Sequence, residues 1–353
     1  MPNKQQRTEI HQSGTADGWH GTIEAGGRFP PEGGRYHMYI GLFCPFAHRA
    51  NLVRHLANLT SIIDISVVMP YPKGDENGWP GWRFLSAEEE KEGVYPGATA
   101  DRLFGSKYLH EVYFKADKEY KGRYSVPVIW DKKTGEIVSN ESAEILRWLP
   151  TAFTSITEKS LDLYPVSLQP KIDALSPLLQ DYLNTGVYKA GFAPNQDLYN
   201  AAIPPLFGAL NFLEKLIHAN GGPYVFGDQL TEVDVRVYAT IVRFDTVYVQ
   251  HFKCDLGTIR HVYPVLNEWL KGMYWGVEGC RETTEFRHIK ENYTKSHDFI
   301  NPRGITPMGP FPEVEEGPAE TQYSKLKPGG VKMDKVLEWE ERVRREYEKK
   351  VSG

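Results

Sequence analysis

Cys44 is the residue of this chain whose type and position best suit covalent chemistry. It follows an apolar run, YHMYIGLF, and is followed directly by Pro45. This pattern predicts a buried strand that ends before the cysteine and a helix that begins after it, because proline favours the first position of a helix. The amide groups and the dipole at a helix N-terminus favour a thiolate over a thiol, and His48 and Arg49 can add positive charge one turn on. The pattern indicates a nucleophilic cysteine, with a buried structural cysteine as the alternative.

No second cysteine stands near Cys44, since the residue three positions later is Ala47. An external thiol would therefore have to resolve any mixed disulfide that Cys44 forms. Cys254 and Cys280 are predicted to be structural. The spacing of the three cysteines is not that of a disulfide framework, which suits a reducing compartment, so we expect a cytoplasmic protein. No CxxC, HExxH or Cys/His cluster is present, so we expect no metal cofactor.

Two short motifs could hold a small polar ligand. The bond before the proline of Val126-Pro127 is trans by default, whereas a cis bond would turn the backbone polar groups of Val126 toward a ligand. Ser142 stands at the predicted start of a helix, where hydroxyl and N–H groups could bind a carboxylate, and Glu141 beside it could accept an ammonium group. A carboxylate and an ammonium group on one carbon describe an α-amino acid. A plain helix cap is the alternative.

Aromatic and basic side chains elsewhere could line such a site. Trp82 lies in a long loop insertion rich in Gly and Pro, residues 70–105, and Arg123 precedes the strand that begins at Val126. Together they could cover an anionic peptide, with loop packing and a surface charge as the alternatives. Three tyrosines of the helical half could donate hydrogen bonds to an aromatic substrate or a thiolate: Tyr188, Tyr248 and Tyr293. Because the chain has 20 tyrosines, most of them must be packing residues.

Hydrophobic periodicity predicts the order βαβ-α-ββα in the first half of the chain. Strands are expected at 36–43, 62–69, 126–130 and 136–139, and helices at 45–59, 106–118 and 143–149. The βαβ unit makes the first two strands parallel, and the last two form a hairpin. The segment before residue 36 lacks a period and is expected to pack on the body through Trp19, Ile23 and Phe29.

Helical periodicity dominates the second half. Helices are expected at 167–185, 196–219, 232–249, 262–275 and 283–295. Pro204 and Pro205 predict a kink or two helices within the second of these, because an interior proline costs about 3 kcal/mol. Thr231 and Asp234 form a capping-box pattern. A charge-dense segment, 331–351, has a narrow apolar stripe that indicates either a docked terminal helix or a solvated one.

Composition excludes several classes of function. The net charge of −5 gives no basic excess for nucleic acid or an anionic membrane surface. A length of 353 residues with 41% hydrophobic and 25% charged residues is that of a globular protein of about two domains. No apolar run predicts a membrane span, and the polar N-terminus is not a secretory signal. No glycine-rich phosphate-binding motif is present.

The order of elements resembles the glutathione transferase fold, and the motifs resemble most closely its glutathionyl-hydroquinone reductases, the xi class. The residues that carry the resemblance are CPFAHR (44–49), GWPGWRF (78–84), GRYSVPV (122–128), SNESAEI (139–145), NTGVYKAGFA (184–193), TEVDVRVYATIVRFDTVYVQHFKC (231–254) and NPRGITPMGP (301–310). The resemblance implies an α+β / α fold, with an N-terminal thioredoxin-like domain followed by an all-helical domain. The implied divisions are an extended arm (1–35), a glutathione-binding domain (36–155), a helical substrate and dimer domain (160–300) and a C-terminal extension (301–353).

The resemblance also implies roles for single residues. Cys44 matches the catalytic nucleophile, and Tyr188 matches the tyrosine that assists proton transfer. The matches to glutathione-binding positions are Trp82, Arg123, Val126, Pro127, Glu141 and Ser142. Tyr248 and Tyr293 match tyrosines near the cysteine and the hydroquinone. Phe46 also belongs to the substrate site but departs from the family, which usually has tryptophan there. Tyr124-Ser125 and the Pro204-Pro205 pair are further departures.

The implied activity is the glutathione-dependent reduction of S-glutathionyl-hydroquinones by a homodimer, with glutathione as co-substrate. An omega-like thioltransferase or dehydroascorbate reductase is the nearest alternative, because it also uses a lone Cys-Pro. A lyase-like or biosynthetic step on a secondary metabolite is another, given Phe46. A non-catalytic regulator that binds glutathione and uses the charged tail for partners is the alternative from outside enzymes.

Overall fold

A computed structural model of the protein describes residues 18–71, 73–317, 319 and 322–352. These residues form two compact units. The first takes in the described chain up to Leu161 together with Glu282–Thr306, and the second takes in Asp162–Arg281 and the described chain from Pro307 onward. The sequence division placed 282–300 with the helical region, whereas in the structure this segment groups with the first unit. The part of the expected arm before residue 18 lies outside the described residues.

The helices of the described chain are numbered in chain order. They are α1 (Pro45–Leu56), α2 (Ala87–Lys91), α3 (Leu109–Ala116), α4 (Ser142–Ala152), α5 (Thr154–Thr157), α6 (Gln169–Leu179), α7 (Gly186–Gly191), α8 (Gln196–Asn220), α9 (Glu232–Ile241), α10 (Val249–His251), α11 (Ile259–Val262), α12 (Pro264–Gly276), α13 (Phe286–Ser296) and α14 (Asp334–Ser352). Two π turns interrupt this series, at Gln180–Asn184 and Phe244–Tyr248.

The first unit is built on a four-stranded mixed sheet. Its strands are β1 (Tyr36–Ile40), β2 (Asp64–Val67), β3 (Val128–Asp131) and β4 (Glu136–Ser139), in the order β2-β1-β3-β4. β1 pairs parallel with β2, antiparallel β3 follows on its other side, and β3 and β4 form the hairpin. Every residue of β1 is buried, as expected for a central strand covered on both faces. This confirms the predicted order of elements and the predicted fold class, although β1 and β2 are shorter than expected.

The described part of the N-terminal arm packs against β4, the edge strand. The Gly21 N–H donates to the Val138 carbonyl at 2.8 Å. The Trp19 ring contacts Tyr113 at 5.6 Å, and Ile23 and Phe29 are buried. The arm therefore covers an edge that would otherwise expose unpaired backbone groups.

The long insertion is ordered by its own core. Leu85, Tyr95 and Ala98 are buried in one cluster with Met69. Helix α2 within the insertion begins with a capping box, in which Ser86 serves as the N-cap. The insertion is thus a packed element beside β2, which agrees with its content of aromatic residues.

The second unit is helical, and it corrects one expectation. Helix α8 runs without a break through Pro204 and Pro205, so the predicted division into two helices is wrong. The prolines remove donors to the carbonyls of Asn200 and Ala201, but both residues are exposed, so water can satisfy those groups. Every residue of α8 from Leu206 to Glu214 is buried, which offsets the cost of the prolines.

The charged C-terminal segment forms a docked helix. Val336 and Val343 of α14 are fully buried, and Tyr347 packs its ring 5.5 Å from that of Phe212 in α8. This confirms the docked alternative. The capping box of Thr231 and Asp234 at the start of α9 is also confirmed.

Candidate active site

Cys44 lies half-buried at the N-cap of α1, with extended backbone angles (φ −78, ψ 123) and Pro45 as the first helical residue. Its thiol donates to the backbone carbonyl of Val126, with Sγ and the oxygen 3.6 Å apart. The Cys44 amide donates to the Gly41 carbonyl at 2.9 Å, which fixes the turn between β1 and the helix. The cysteine therefore stands where the dipole and amide groups of α1 stabilise a negative charge.

The Val126-Pro127 peptide bond is cis, and both residues are buried. The tyrosine hydroxyls of Tyr113 and Tyr120 donate to the carbonyls of Ser125 and Arg123, at 2.8 and 3.3 Å. These contacts hold the approach to β3. The segment 123–127 is therefore a fixed stretch of backbone beside the cysteine.

The N-terminus of α4 differs in one detail from the sequence interpretation. Glu141 rather than Ser142 is the N-cap, and its Oε1 accepts from the Ala143 N–H at 3.0 Å. Ser142 is the first helical residue and is 2% exposed. A carboxylate in the cap position satisfies an N–H group and faces the positive end of the helix dipole. The pair thus presents one acidic and one hydroxyl side chain at the start of a helix.

Trp82 packs beside the turn that precedes the cysteine. The centroid of its ring lies 4.6 Å from that of Phe43, and the Lys73 ammonium lies 5.1 Å from the centroid of the Trp82 ring. The Trp82 carbonyl accepts from the Leu109 N–H at 2.8 Å, which ties the residue to the start of α3. Arg123 is half-buried, in the segment that leads to the cis peptide bond.

A buried contact between a histidine and an aspartate that the sequence did not predict supports the loop before Trp82. His110 Nε2 of α3 lies 3.3 Å from Asp75 Oδ2, and burial lowers the pKa of His110. The other carboxylate oxygen accepts from the N–H groups of Asn77 and Trp79. The signal was present as an Asp-x-Asn-Gly turn motif, whose aspartate commonly accepts from following amides.

Phe46 lies on the first turn of α1. The guanidinium of Arg49 lies over its ring, 4.9 Å from the ring centroid. Arg49 is 1% exposed, so this cation–π contact is shielded from water. The Phe46 side chain is therefore packed against a buried charge of the same helix.

Two of the tyrosines come together within the second unit. The rings of Tyr188 on α7 and Tyr248 lie 6.1 Å apart, edge to face. Phe252 completes the cluster, stacked on Tyr248 at 5.6 Å and 5.2 Å from Tyr188. Tyr188 is half-buried and Tyr248 is fully buried. The third tyrosine, Tyr293, lies on α13 in the first unit and is 2% exposed.

Both tyrosines of this cluster depend on the π turns. Tyr248 ends the turn Phe244–Tyr248, and the turn Gln180–Asn184 stands directly before α7. π turns are rare and often mark functional sites. The sequence predicted uninterrupted helices at 167–185 and 232–249, so these features were missed, and no local sequence signal identifies them.

The described residues contain no group of three or more His, Cys, Asp or Glu side chains able to hold a metal ion. Within the same residues, no helix is both long and apolar enough to cross a membrane.

Comparison with known proteins places the chain in a family. The family model described as "Glutathione S-transferase, N-terminal domain" matches residues 43–152, and the corresponding C-terminal model matches 196–272. "Glutathionyl-hydroquinone reductase YqjG" of Escherichia coli is 44% identical over 302 residues, covering 86% of this chain and 87% of that protein. The chain belongs to the xi class of glutathione transferases, the glutathionyl-hydroquinone reductase family.

Other comparisons agree with membership of the transferase family. "Glutathione S-transferase omega-like 2" of Schizosaccharomyces pombe is 48% identical over 291 residues, covering 81% of this chain and 89% of that protein. The xi transferase structure from Phanerochaete chrysosporium aligns with a TM-score of 0.79 at 43% identity, over 88% of this chain and 100% of that one. The glutathione-bound structure of the E. coli protein aligns with a TM-score of 0.77 at 42% identity, over 88% of this chain and 98% of that one.

The N-terminal family match contains the cysteine and every residue predicted to bind glutathione. The C-terminal match contains Tyr248, whereas Tyr188 and Tyr293 lie outside both matches. The glutathione transferase assignment is therefore supported by matches in both units.

Proposed function

We propose that this xi-class transferase reduces S-glutathionyl-hydroquinones to hydroquinones, with glutathione as the reductant. The observation that carries the proposal is the placement of Cys44 at the N-terminus of α1, beside the cis Val126-Pro127 bond and without a second cysteine at position 47. A lone thiolate of this kind can cleave a thioether repeatedly only if an external thiol regenerates it after each cycle. The name of the E. coli relative supports the same reaction.

The reaction proceeds in two displacements. The Cys44 thiolate attacks the sulfur of the substrate thioether, a Cys44–glutathione disulfide forms, and the carbon–sulfur bond breaks. Before cleavage that carbon takes a proton to give the keto tautomer, for which the Tyr188 hydroxyl is the donor, and on cleavage the electron pair of the carbon–sulfur bond restores the aromatic ring, whose oxygen is then protonated. A second glutathione thiolate then attacks the mixed disulfide, releasing oxidised glutathione and free Cys44. The substrate gains two electrons and two glutathione moieties leave as one disulfide, so the balance closes.

The ring hydroxyls of the substrate are essential in this scheme. They allow the carbon that bears sulfur to be protonated through a keto tautomer, which makes it a competent leaving group. A simple aryl thioether has no such tautomer and is expected to be inert. Phe46, Tyr248 and Tyr293 are assigned to the hydroquinone in this proposal.

Glutathione binding is assigned to the first unit. Glu141 and Ser142, at the start of α4, take the α-amino acid head of the tripeptide, the first through its ammonium group and the second through its carboxylate. The backbone of Val126, held by cis Pro127, pairs with the peptide. Trp82 and Arg123 cover its other end. A glutathione-bound structure of the E. coli relative supports glutathione as the co-substrate.

The same proposal includes a homodimer, quinone-derived thioethers as substrates and a location in the cytoplasm. The alternative with specific support is an omega-like thioltransferase, because the S. pombe relative carries an omega-like name and the lone Cys44 serves both reactions. The two activities differ in proton transfer. Cleavage of the thioether requires a proton on carbon, whereas cleavage of a disulfide does not.

The test is a product assay with glutathionyl-menadiol and glutathione, using the wild type and Cys44→Ser. Menadiol and oxidised glutathione in equal amounts from the wild type, and neither from the variant, are expected. No menadiol, but rapid turnover of the glutathione mixed disulfide of hydroxyethyl disulfide, would assign the protein to the thioltransferases instead. If the folded wild type has no activity in either assay, the protein is better described as a non-catalytic binding protein.

A further inference from the structure

We propose that the C-terminal helix α14 positions the Tyr188 hydroxyl, by bracing the π turn at Gln180–Asn184. The proposal rests on the proposed function, in which Tyr188 supplies a proton. All the residues involved belong to the second unit. The C-terminal family match ends at residue 272, so α14 lies well beyond it.

The start of α14 is fastened to α8 by polar side chains. The Val331 N–H donates to Asn211 Oδ1 at 2.9 Å, and Asn211 Nδ2 donates back to the Val331 carbonyl at 3.0 Å. Glu214 is fully buried, and its Oε1 accepts from the Gly329 N–H at 2.9 Å. The segment before α14 thus enters the unit at a fixed place.

The helix then packs closely against α8. A Cβ atom added to Gly208 would lie 2.7 Å from Trp339 Cβ and 2.8 Å from the Glu340 amide nitrogen. Only a residue without a side chain allows this approach. Asn211 also donates to Glu340 Oε2 at 3.3 Å. Docking at this distance fixes the direction in which Trp339 projects.

Trp339 and Glu346 of α14 contact Tyr182, a residue of the π turn. The Tyr182 ring lies 5.4 Å from the Trp339 ring, edge to face, and the Tyr182 hydroxyl donates to Glu346 Oε2 at 3.4 Å. Arg342 joins these groups, with its guanidinium 4.3 Å from the Trp339 ring and its Nε donating to Glu346 Oε1 at 2.9 Å. We call the side chains of Tyr182, Trp339, Arg342 and Glu346 the Tyr182 clasp.

The π turn leads directly to Tyr188. The Thr185 N–H donates to the Gln180 carbonyl at 2.9 Å, five residues back, and the Tyr188 N–H donates to the Thr185 carbonyl at 3.0 Å. A π turn holds one more residue than an α turn. Its relaxation to α geometry would rotate the following residues by about 100°, the angle per residue of an α-helix. The Tyr182 clasp therefore keeps Tyr188 directed at its partners Tyr248 and Phe252.

The test compares Trp339→Ala with Leu337→Ala, a matched truncation on the same helix at a side chain that is 41% exposed. Trp339→Ala is expected to lower kcat with glutathionyl-menadiol about tenfold, a part of the effect of a general acid. Disulfide exchange with hydroxyethyl disulfide, which needs no proton on carbon, is expected to stay unchanged. Leu337→Ala should keep both activities, and Trp339→Phe, which retains a ring for Tyr182, should restore most of kcat.

Two further readouts separate positioning from loss of structure. Adding Trp339→Ala to Tyr188→Phe should cause no further loss of kcat, because both changes act on one proton transfer. Amide hydrogen exchange at residues 182–188 should be faster in Trp339→Ala, with β1 and α1 unaffected.

Three results would overturn the proposal. They are an unchanged kcat in Trp339→Ala, an equal loss of both activities, or additive losses in the double variant. A wild type that leaves glutathionyl-menadiol intact would overturn the proposed function and this proposal with it, whereas an active wild type with an equally active Trp339→Ala would overturn this proposal alone.

Discussion

The Cys44 thiol and the Val126 carbonyl, 82 residues apart in the chain, are joined by a hydrogen bond of 3.6 Å. The contact brings the N-terminus of α1 next to the backbone that precedes β3. A tripeptide thiol that paired with the Val126 backbone would have its sulfur close to Cys44. This relationship links the proposed binding of glutathione to the proposed displacement at sulfur.

Selective alkylation follows from the burial of the other cysteines. Cys254 and Cys280 are fully buried, and burial raises the pKa of Cys254 far above the ordinary thiol value. Brief treatment of the native protein with iodoacetamide should therefore modify Cys44 alone, because only a thiolate with access to solvent reacts. Peptide mass spectrometry identifies the modified residue. Substantial labelling of Cys254 or Cys280 in the folded protein would contradict this arrangement.

Replacement of Glu141 by glutamine tests the assignment of the glutathione head group. The variant keeps an oxygen for the Ala143 N–H and loses the negative charge, so stability should change by less than about 1 kcal/mol. The KM for glutathione should rise about tenfold, since an ion pair with the ammonium group is lost.

A deaminated glutathione is the matched ligand for this variant. It lacks the ammonium group, so wild type and Glu141→Gln should bind it equally well in calorimetry. A similar loss of affinity for both ligands would show that Glu141 acts only through the helix.

Gly191→Ala tests the aromatic cluster around Tyr188. A Cβ atom at this position would lie 2.1 Å from the Phe252 ring, which itself packs on Tyr188 and Tyr248. The ring must move, at a cost of about 1–3 kcal/mol in the free energy of unfolding. The turnover of glutathionyl-menadiol should fall more than the rate of disulfide exchange. Urea unfolding and the two assays measure this, and an unperturbed variant would contradict the packing.

His37 gives a pH dependence of stability with a defined sign. It is buried in β1 beside Ser66, and burial lowers its pKa to about 4 from 6.5. Below pH 6.5 the unfolded chain takes up a proton that the folded chain does not bind, so stability is lost as pH falls toward 4. When the pH is lowered from about 7.5 to about 5, the free energy of unfolding of the wild type should fall by about 2 kcal/mol more than that of His37→Gln. Urea unfolding at the two pH values measures the difference, and equal losses would exclude this source.

Much of the first unit could be predicted from local sequence. The start of α1 at Cys44 is an example, because an apolar run followed by a cysteine and a proline predicts a strand and then a helix. Caps and prolines act over a few residues, so their effect can be recognised in the local sequence. In the second unit, the Thr231 and Asp234 capping box was predictable for the same reason. The residues of the Val126-Pro127 and Glu141-Ser142 motifs could be named, but the cis bond and the identity of the cap required the structure.

The remainder depends on tertiary packing. Pro204 and Pro205 are tolerated because burial of α8 from Leu206 to Glu214 outweighs the local penalty of the prolines, which is all that the sequence shows. The meeting of Tyr188 and Tyr248 depends on two π turns, which have no propensity signal. The docking of α14 depends on Gly208, whose purpose appears only when Trp339 lies against it.

The most direct test of the central claim is intact-protein mass spectrometry of a single turnover. Reduced wild-type protein, freed of glutathione, is mixed with one equivalent of glutathionyl-menadiol and quenched with acid. We expect one glutathione attached to Cys44, released menadiol in equal amount, and loss of the adduct when glutathione is added. Menadiol released without any adduct on Cys44, or an adduct that also forms on Cys44→Ser, would contradict nucleophilic catalysis by this cysteine.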